Sequence, residues 1–199
     1  MKARRVLERE LSRIPAPLSH KLYLEQYVTD VGAATELLFM GFNGGGIAGK
    51  QVIDLGAGNG ILSIGAILLG AESVTAVEVD PDLGKLLAEN VSDYPVEVLN
   101  IDVSDVSGHW DTAIMNPPWG SQSRGADRPF IDMATAIADN VYSIHNYKSV
   151  EFLRKYYSGK GRILKERKIL VEIPKTYRHH EKDKEFFEAV IFSVTTVED

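Results

Sequence analysis

The chain has 199 residues, 44% hydrophobic and 25% charged, which suits a single globular domain large enough for a substantial core. A formal charge of −6 and a pI near 5.4 argue against a protein that coats nucleic acid non-specifically. Without cysteine there are neither disulfides nor thiolate metal sites, which fits a reducing cytosol. Residues 1–10 are charged throughout and lack the apolar core of a secretory signal, and no apolar run approaches the ~20 residues of a membrane span. The expectation is a cytoplasmic protein that does not meet the membrane.

Apolar and charged residues alternate at helical spacing over residues 1–13, through Val6, Leu7 and Leu11, and Pro15 and Pro17 end that helix. A polar-aromatic segment, residues 22–29, precedes a second helix that Thr29 or Asp30 can cap and that continues through Ala33, Leu37 and Met40. Five glycines between Gly41 and Gly49 predict a flexible turn. From Lys50 onward strands and helices alternate: strand 51–55, helix 60–69, strand 73–78, helix 81–91, strand 95–99 and strand 112–115. A helix at 131–138, a strand at 140–144, a helix at 149–157 and strands at 162–173 and 189–194 complete the series.

This alternation predicts an α/β fold, one domain spanning residues 1–199, with a mostly parallel seven-stranded sheet covered on both faces. A short polar loop joins the last two strands, so the final strand should run antiparallel. Two basic clusters lie near the ends: Lys2, Arg4, Arg5, Arg9 and Arg13, and then Lys175, Arg178, His179, His180, Lys182 and Lys184. Taken singly, each reads as a solvated face. The adjacent His179 and His180 have no third ligand at metal-binding spacing.

Asn116-Pro117-Pro118-Trp119 follows the apolar run Ala113-Ile114-Met115. Two prolines fix φ and offer no N–H, so the chain must leave the sheet there. The Pro117 carbonyl and the Asn116 side-chain oxygen then read as free acceptors on a stiff turn, beside the flat face of Trp119. That arrangement suits a planar ligand carrying an amino group, such as a base or an amide. The motif resembles the (Asp/Asn/Ser)-Pro-Pro-aromatic motif of S-adenosylmethionine (SAM)-dependent amino-methyltransferases. The resemblance implies methylation of adenine N6, cytosine N4 or a glutamine amide.

Asp54-Leu-Gly-Ala-Gly-Asn-Gly60 stands between the first strand and its helix, where glycines let the backbone pass close under a ligand. Such a turn could serve NAD, FAD or SAM. Three features favour SAM. Asp54 can receive an α-ammonium group, the spacing resembles motif I of class I methyltransferases, and it is not the Gly-x-Gly-x-x-Gly fingerprint that shields a pyrophosphate. Glu78 ends the second strand at the place of that family's ribose-binding carboxylate, while Asp80 suits the cap of the next helix. Asp102 matches the residue that accepts from the cofactor's adenine, with Ile101 as its apolar partner. Asp54, Glu78, Asp102 and Asn116 thus follow four strand ends in order.

Leu24-Glu-Gln-Tyr-Val-Thr29, Asn116-Pro-Pro-Trp-Gly120 and Val141-Tyr-Ser-Ile-His145 together resemble one family across residues 24–194: the archaeal and eukaryotic ribosomal RNA adenine-N6 methyltransferases of the methyltransferase-like 5 type. The resemblance implies a Rossmann-like class I fold and formation of N6-methyladenosine in RNA, in particular small-subunit ribosomal RNA. It implies a SAM site of Gln26, Thr29, Asp54, Gly56, Gly58, Asn59, Gly60, Ile61, Glu78, Ile101, Asp102 and Asn116. The acceptor corner would be Asn116, Pro117, Pro118 and Trp119, with no metal. Residues 1–45 would form a helical extension closing over the cofactor through Gln26 and Thr29.

A small zinc-binding activator protein covering an apolar sheet edge is implied by the same resemblance, and the third strand (Val96, Val98) is the expected edge. Two departures stand out. The family more often has phenylalanine where this chain has Trp119, and a lysine-rich loop where this chain has Lys175-Thr-Tyr-Arg-His-His180, whose histidines are only partly charged near neutral pH. Two rival readings are a protein-glutamine N5 methyltransferase acting on a translation factor, and a non-catalytic SAM-binding scaffold.

Overall fold

The computed structural model describes residues 2–17, 29–119, 125–173 and 185–197. Seven strands form one sheet: β1 (Gln51–Leu55), β2 (Ser73–Val77), β3 (Val96–Leu99), β4 (Trp110–Met115), β5 (Ala138–Asn146), β6 (Arg162–Ile173) and β7 (Glu185–Thr195). Their order is β3-β2-β1-β4-β5-β7-β6. β1 to β5 pair in parallel, and β7 runs antiparallel to both β5 and β6. The expected mostly parallel sheet with an antiparallel last strand is what forms.

β1 and β2 each show one exposed residue followed by four buried ones, as strands covered on both faces must. Alternate side chains point to opposite layers. Val52, Val74, Ile114, Tyr142 and Ile144 join the core beneath α1 (Lys2–Leu11), α2 (Val31–Asn43) and α3 (Ile61–Leu68). Ile53, Leu55, Val77, Ala113, Met115 and Val141 face α5 (Arg128–Ile137) and α6 (Val150–Ser158). α4 (Pro81–Asn90) packs beside β3, where Leu87 closes a smaller cluster with Ala57, Ile64 and Ala76.

Local chemistry sets the helix ends. Asp30, rather than Thr29, caps α2 by accepting from the Ala33 N–H at 2.9 Å. Asp80 caps α4 ahead of Pro81, whose fixed φ suits the first turn. α5 starts three residues earlier than its periodicity suggests, because Pro129 is another first-turn proline.

Two expectations are refined. The glycine-rich turn after α2 forms, with Gly45 and Gly49 at left-handed φ of 76° and 68°. Gly46 also serves close packing, since a Cβ there would lie 2.7 Å from the Tyr142 ring, and one on Gly41, at the end of α2, would lie 2.9 Å from Ile47. β7 also starts at Glu185 instead of residue 189: its early residues, Glu185-Phe186-Phe187-Glu188, extend a hairpin with β6 beyond the buried part of the sheet. β3 is a sheet edge, as expected, with Val96 and Val98 half-buried. The opposite edge, β6, is the more exposed apolar one, with Leu164 and Leu170 at 51% and 65% exposure.

Beneath the C-terminal end of β5 lies a buried polar chain. Tyr157 Oη is 2.7 Å from Ser143 Oγ and 3.0 Å from His145 Nε2. Burial pushes the His145 pKa down and the Tyr157 pKa up, so both are neutral near pH 7. Tyr157→Phe strands two buried polar partners and should cost about 1–3 kcal/mol of stability. Chemical denaturation reads this directly, and an unchanged midpoint would show that Ser143 and His145 satisfy each other without the phenol.

Candidate active site

The sheet order reverses between β1 and β4, and in such folds the crevice beyond those strand ends is where ligands bind. Asp54 is the penultimate residue of β1, Glu78 directly follows β2, Asn116 directly follows β4, and Asp102 lies three residues past β3. The four carboxylate and amide residues picked out along the chain therefore share one rim.

Asp54 is completely buried. Ser63 Oγ, in the first turn of α3, donates to its Oδ2 at 2.6 Å, while Oδ1 has no hydrogen-bond partner among the described residues. Burial without a counter-charge pushes this carboxyl up to about 7, with the Ser63 bonds opposing and nearby Glu78 reinforcing the shift. Such a carboxyl is poised to ionise when a cation arrives, which suits an ammonium ligand.

Glu78 stitches the glycine loop to the end of β2. Its Oε2 accepts from the Gly58 N–H at 2.9 Å and its Oε1 from the Asp80 N–H at 3.0 Å. Burial raises its pKa, against the pull of those backbone donors. Each oxygen retains acceptor capacity, so a pair of hydroxyls can add to it. Gly56 and Gly60 take left-handed φ values of 75° and 86°. A Cβ would come within 3.0 Å of the Phe130 ring at the first and 2.8 Å of Leu87 at the second, so side chains are excluded by space as well as by conformation.

Asn59 is nearly buried, and its Nδ2 donates to the Pro15 carbonyl at 3.1 Å. Asn90 Nδ2 reaches the Pro15 and Asn59 carbonyls at 3.2 and 2.9 Å, clasping the segment after α1 onto the loop. Ile61 is buried at the start of α3, and Ile101 is half-buried against the α5–α6 core. Asp102 is exposed. Its Oδ1 takes the Ser104 hydroxyl at 2.6 Å and the Ser104 N–H at 2.9 Å, which together hold its pKa down.

At the corner Pro117 is buried, and Asn116, Pro118 and Trp119 are half-buried. Asn116 Nδ2 donates to Thr29 Oγ1 at 3.0 Å, which orients the amide. Trp119 Nε1 donates to Asn116 Oδ1 at 3.2 Å. The Asn116 oxygen expected to be a free acceptor therefore already carries the indole N–H, a bond that only the tryptophan at this position makes possible. Gln26 and the basic stretch 175–180 lie outside the described residues. Sequence reading missed Ser63, Phe130 and the Pro15–Asn90 clasp. Only Ser63, a lone hydroxyl in an apolar helix turn, left a signal.

A family model described as ribosomal protein L11 methyltransferase (PrmA) matches residues 35–113, which covers the glycine loop and stops short of Asn116. The rRNA N(6)-adenosine-methyltransferase METTL5 of Danio rerio is 31% identical, over 88% of this chain and 90% of its own length. The chain belongs to the methyltransferase-like 5 family. An uncharacterised protein of Methanocaldococcus jannaschii is 34% identical over 92% of this chain and 89% of that one. The crystal structure of a candidate RNA methyltransferase from Pyrococcus horikoshii, 38% identical, superposes with a TM-score of 0.92 over 100% of both chains. This member of the methyltransferase-like 5 family is accordingly a methyltransferase with the Rossmann-like class I fold.

An acid whose folded pKa exceeds its unfolded one keeps its proton longer in the folded state. For Asp54, with a reference value of 3.8, the ligand-free methyltransferase should lose stability as pH rises from that value through about 7. The Asp54→Asn variant retains an acceptor for Ser63 and cannot ionise. Its melting temperature should fall less than that of the wild type between about pH 5 and about pH 8. Parallel melting curves in the two proteins would refute the perturbed carboxyl.

Proposed function

We propose that this protein transfers a methyl group from SAM to N6 of an unpaired adenine in RNA, with small-subunit ribosomal RNA as the substrate. The observation that carries the reading is the acceptor corner, Asn116 to Trp119, next to a buried carboxylate oxygen that lacks a partner among the described residues. The named activity of the Danio rerio relative supports adenine in RNA as the acceptor.

The residues present fit SAM. Asp54 Oδ1 suits its ammonium, Glu78 its ribose hydroxyls, and Asp102 with Ile101 its adenine. Gly56, Gly58, Asn59, Gly60 and Ile61 shape the floor beneath it. Gln26 and Thr29 belong to an extension, residues 1–45, that closes over the cofactor within a single 1–199 domain. The Pro15 clasp and the Thr29–Asn116 bond support this closure. When bound, SAM supplies a methyl group on a positively charged sulfur, already an excellent leaving group.

The chain must then position a poor nucleophile. The lone pair of an exocyclic amino group is delocalised into the ring. Asn116 Oδ1 and the Pro117 carbonyl, accepting both amino hydrogens, draw it back onto nitrogen and hold it for in-line transfer. Pro117 and Pro118 keep those acceptors rigid, and the Trp119 indole stacks on the base. No general base is needed beforehand, because the proton leaves after transfer. The target must be unpaired or flipped out to enter. In the conformation described here, the incoming amino group competes with the indole N–H for Asn116 Oδ1.

Partners on this reading are RNA and a small zinc-binding activator protein at a sheet edge, β3 (Val96, Val98) being the proposed one, in the cytoplasm. No helix among the described residues is long and apolar enough to cross a membrane.

The first test is transfer of labelled methyl from SAM to small-subunit ribosomal RNA, with nucleoside analysis. N6-methyladenosine at one site is the expected product; label in a protein amide instead would replace RNA with a glutamine substrate. Asn116→Ala removes one of two positioned acceptors and should lower transfer about 10²–10³-fold while SAM still binds. Undiminished turnover would end the proposed mechanism.

Trp119 separates stacking from hydrogen bonding. Trp119→Phe keeps a ring and frees Asn116 Oδ1, so its kcat/KM should stay near or above the wild-type value. Trp119→Ala should lose about 5- to 150-fold, as expected for a stacked base. Equal losses in both variants would assign the effect to the indole N–H instead.

A further inference from the structure

α5 and α6 both begin at the rim that carries the acceptor corner, because each follows a parallel strand that ends there: α5 comes after β4 and the corner, α6 after β5. Arg128 is the first residue of α5, and Phe130, two residues on, lies against Gly56 of the cofactor loop. The Arg128 guanidinium sits 5.0 Å over the Phe152 ring, in the first turn of α6. Phe152 in turn stacks on Tyr156, with ring centroids 5.3 Å apart and planes at 27°. Lys160 Nζ lies 4.9 Å over the Tyr156 ring. Phe152 and Tyr156 are one turn apart on α6, and Lys160, just past the helix end, continues from the Tyr156 ring, so the three form one stripe that leads away from the acceptor corner.

Nothing in the folding of the chain accounts for the whole of this stripe. Phe152 is 42% exposed, although Leu153 and Tyr157 already bury α6 against the sheet. Arg128 is exposed and forms no salt bridge among the described residues, although its charge acts on Asp132, one turn along α5. Its stacking on an aromatic face restricts the guanidinium and leaves its N–H fork free for an anion. At the far end Lys160 and Tyr156 Oη both engage Asp132, at 2.7 and 2.8 Å, which steadies that end of the stripe. From Tyr147 to Lys160 the sequence has Lys148, Arg154, Lys155 and Lys160 against Glu151. Arg154 pairs with Glu151 and Glu166 and Lys160 with Asp132, so the surplus positive charge rests on Arg128, Lys148 and Lys155. A local cationic face with aromatic planes, opening at the acceptor corner, matches the chemistry of a nucleic-acid single strand, phosphates outside and bases stacked.

We infer that the Arg128–Phe152–Tyr156–Lys160 stripe is a docking track for the single-stranded RNA that flanks the target adenine, with Arg128 on the phosphate nearest the corner. This rests on the RNA reading above and adds a path for the strand. Asn116 and Trp119 then read only the target base, while the stripe keeps the neighbouring nucleotides from re-pairing over it.

The test uses the full chain in two arms. Binding of a fluorescent single-stranded RNA carrying one unpaired adenine is measured at several salt concentrations. Methyl transfer to the same RNA is followed with SAM. Arg128→Ala should weaken binding about tenfold and reduce the salt slope by about one, as for a lost phosphate contact. Arg128→Lys should recover part of the affinity. Phe152→Ala should raise KM for RNA with kcat and SAM affinity unchanged.

Wild-type affinity and salt slope in Arg128→Ala and Phe152→Ala would overturn the track, whatever the methylation result. Loss of binding in the variants, with no methyl entering RNA even in the wild type, would leave the track standing and defeat the substrate reading. A wild-type protein that binds no RNA would overturn both.

Discussion

The fold is organised around a carboxyl buried with no counter-charge. Asp54 has a single hydrogen-bond donor, Ser63, and its other oxygen faces no partner among the described residues. A side chain in that condition opposes folding whenever it is ionised, and it persists only where something else overdetermines the strand that carries it. Here β1 lies in the interior of the sheet, between β2 and the central strand β4, with Ile53 and Leu55 packed on one face and Val52 on the other. The sheet centre thus stores an electrostatic cost that a cationic ligand relieves. On the proposed reading, that difference between empty and filled states favours a cationic ligand in the crevice.

Around this centre the chain closes the crevice with hydrogen bonds between segments far apart in sequence. Glu78 ties the glycine loop to β2, and Asn59 and Asn90 tie the end of α1 to the same loop. Thr29, at the entry to α2, orients the Asn116 amide across 87 positions of sequence. Were the amide turned over, an N–H donor would face the place where an acceptor is required. On the proposed reading, the N-terminal segment therefore bears on acceptor chemistry as well as on cofactor enclosure.

How much of this the sequence disclosed follows from the range of each interaction. β1, β2 and the glycine loop were readable because apolar runs and turn residues act within a few positions. Asp80 was readable as a cap for the same reason. The early part of β7 was not, because two phenylalanines between acids, Glu185 to Glu188, lack the apolar run of a buried strand. The glycines after α2 signalled a turn, which forms, but not that Gly44 and Gly46 lie against Tyr142, about a hundred residues away and invisible to any local pattern. At the site, the strand-end order placed Asp54, Glu78 and Asn116 on one rim. It could not show that Glu78 spends an acceptor on each of two backbone donors, or that the Trp119 N–H sits on Asn116 Oδ1.

The comparisons and the geometry divide the molecule at the same place. The L11 methyltransferase family model ends at residue 113, within β4, so the shared part comprises β1 to β3, most of β4 and the glycine loop. The elements proposed to meet the acceptor come later: the corner, α5 with Phe130 against Gly56, and α6 rising from the same rim. Phe130 makes this division more than a matter of sequence order. A Cβ at Gly56 would meet its ring, so the start of α5 sits close against the glycine loop. Arg128 is two residues from that contact. Any shift of α5 that re-aimed the guanidinium toward a different strand path would press on the loop beneath the cofactor. The acceptor half is free to differ in what it recognises only where it does not lean on the loop. By that criterion the α6 side of the stripe, Phe152 to Lys160, is the more adaptable end.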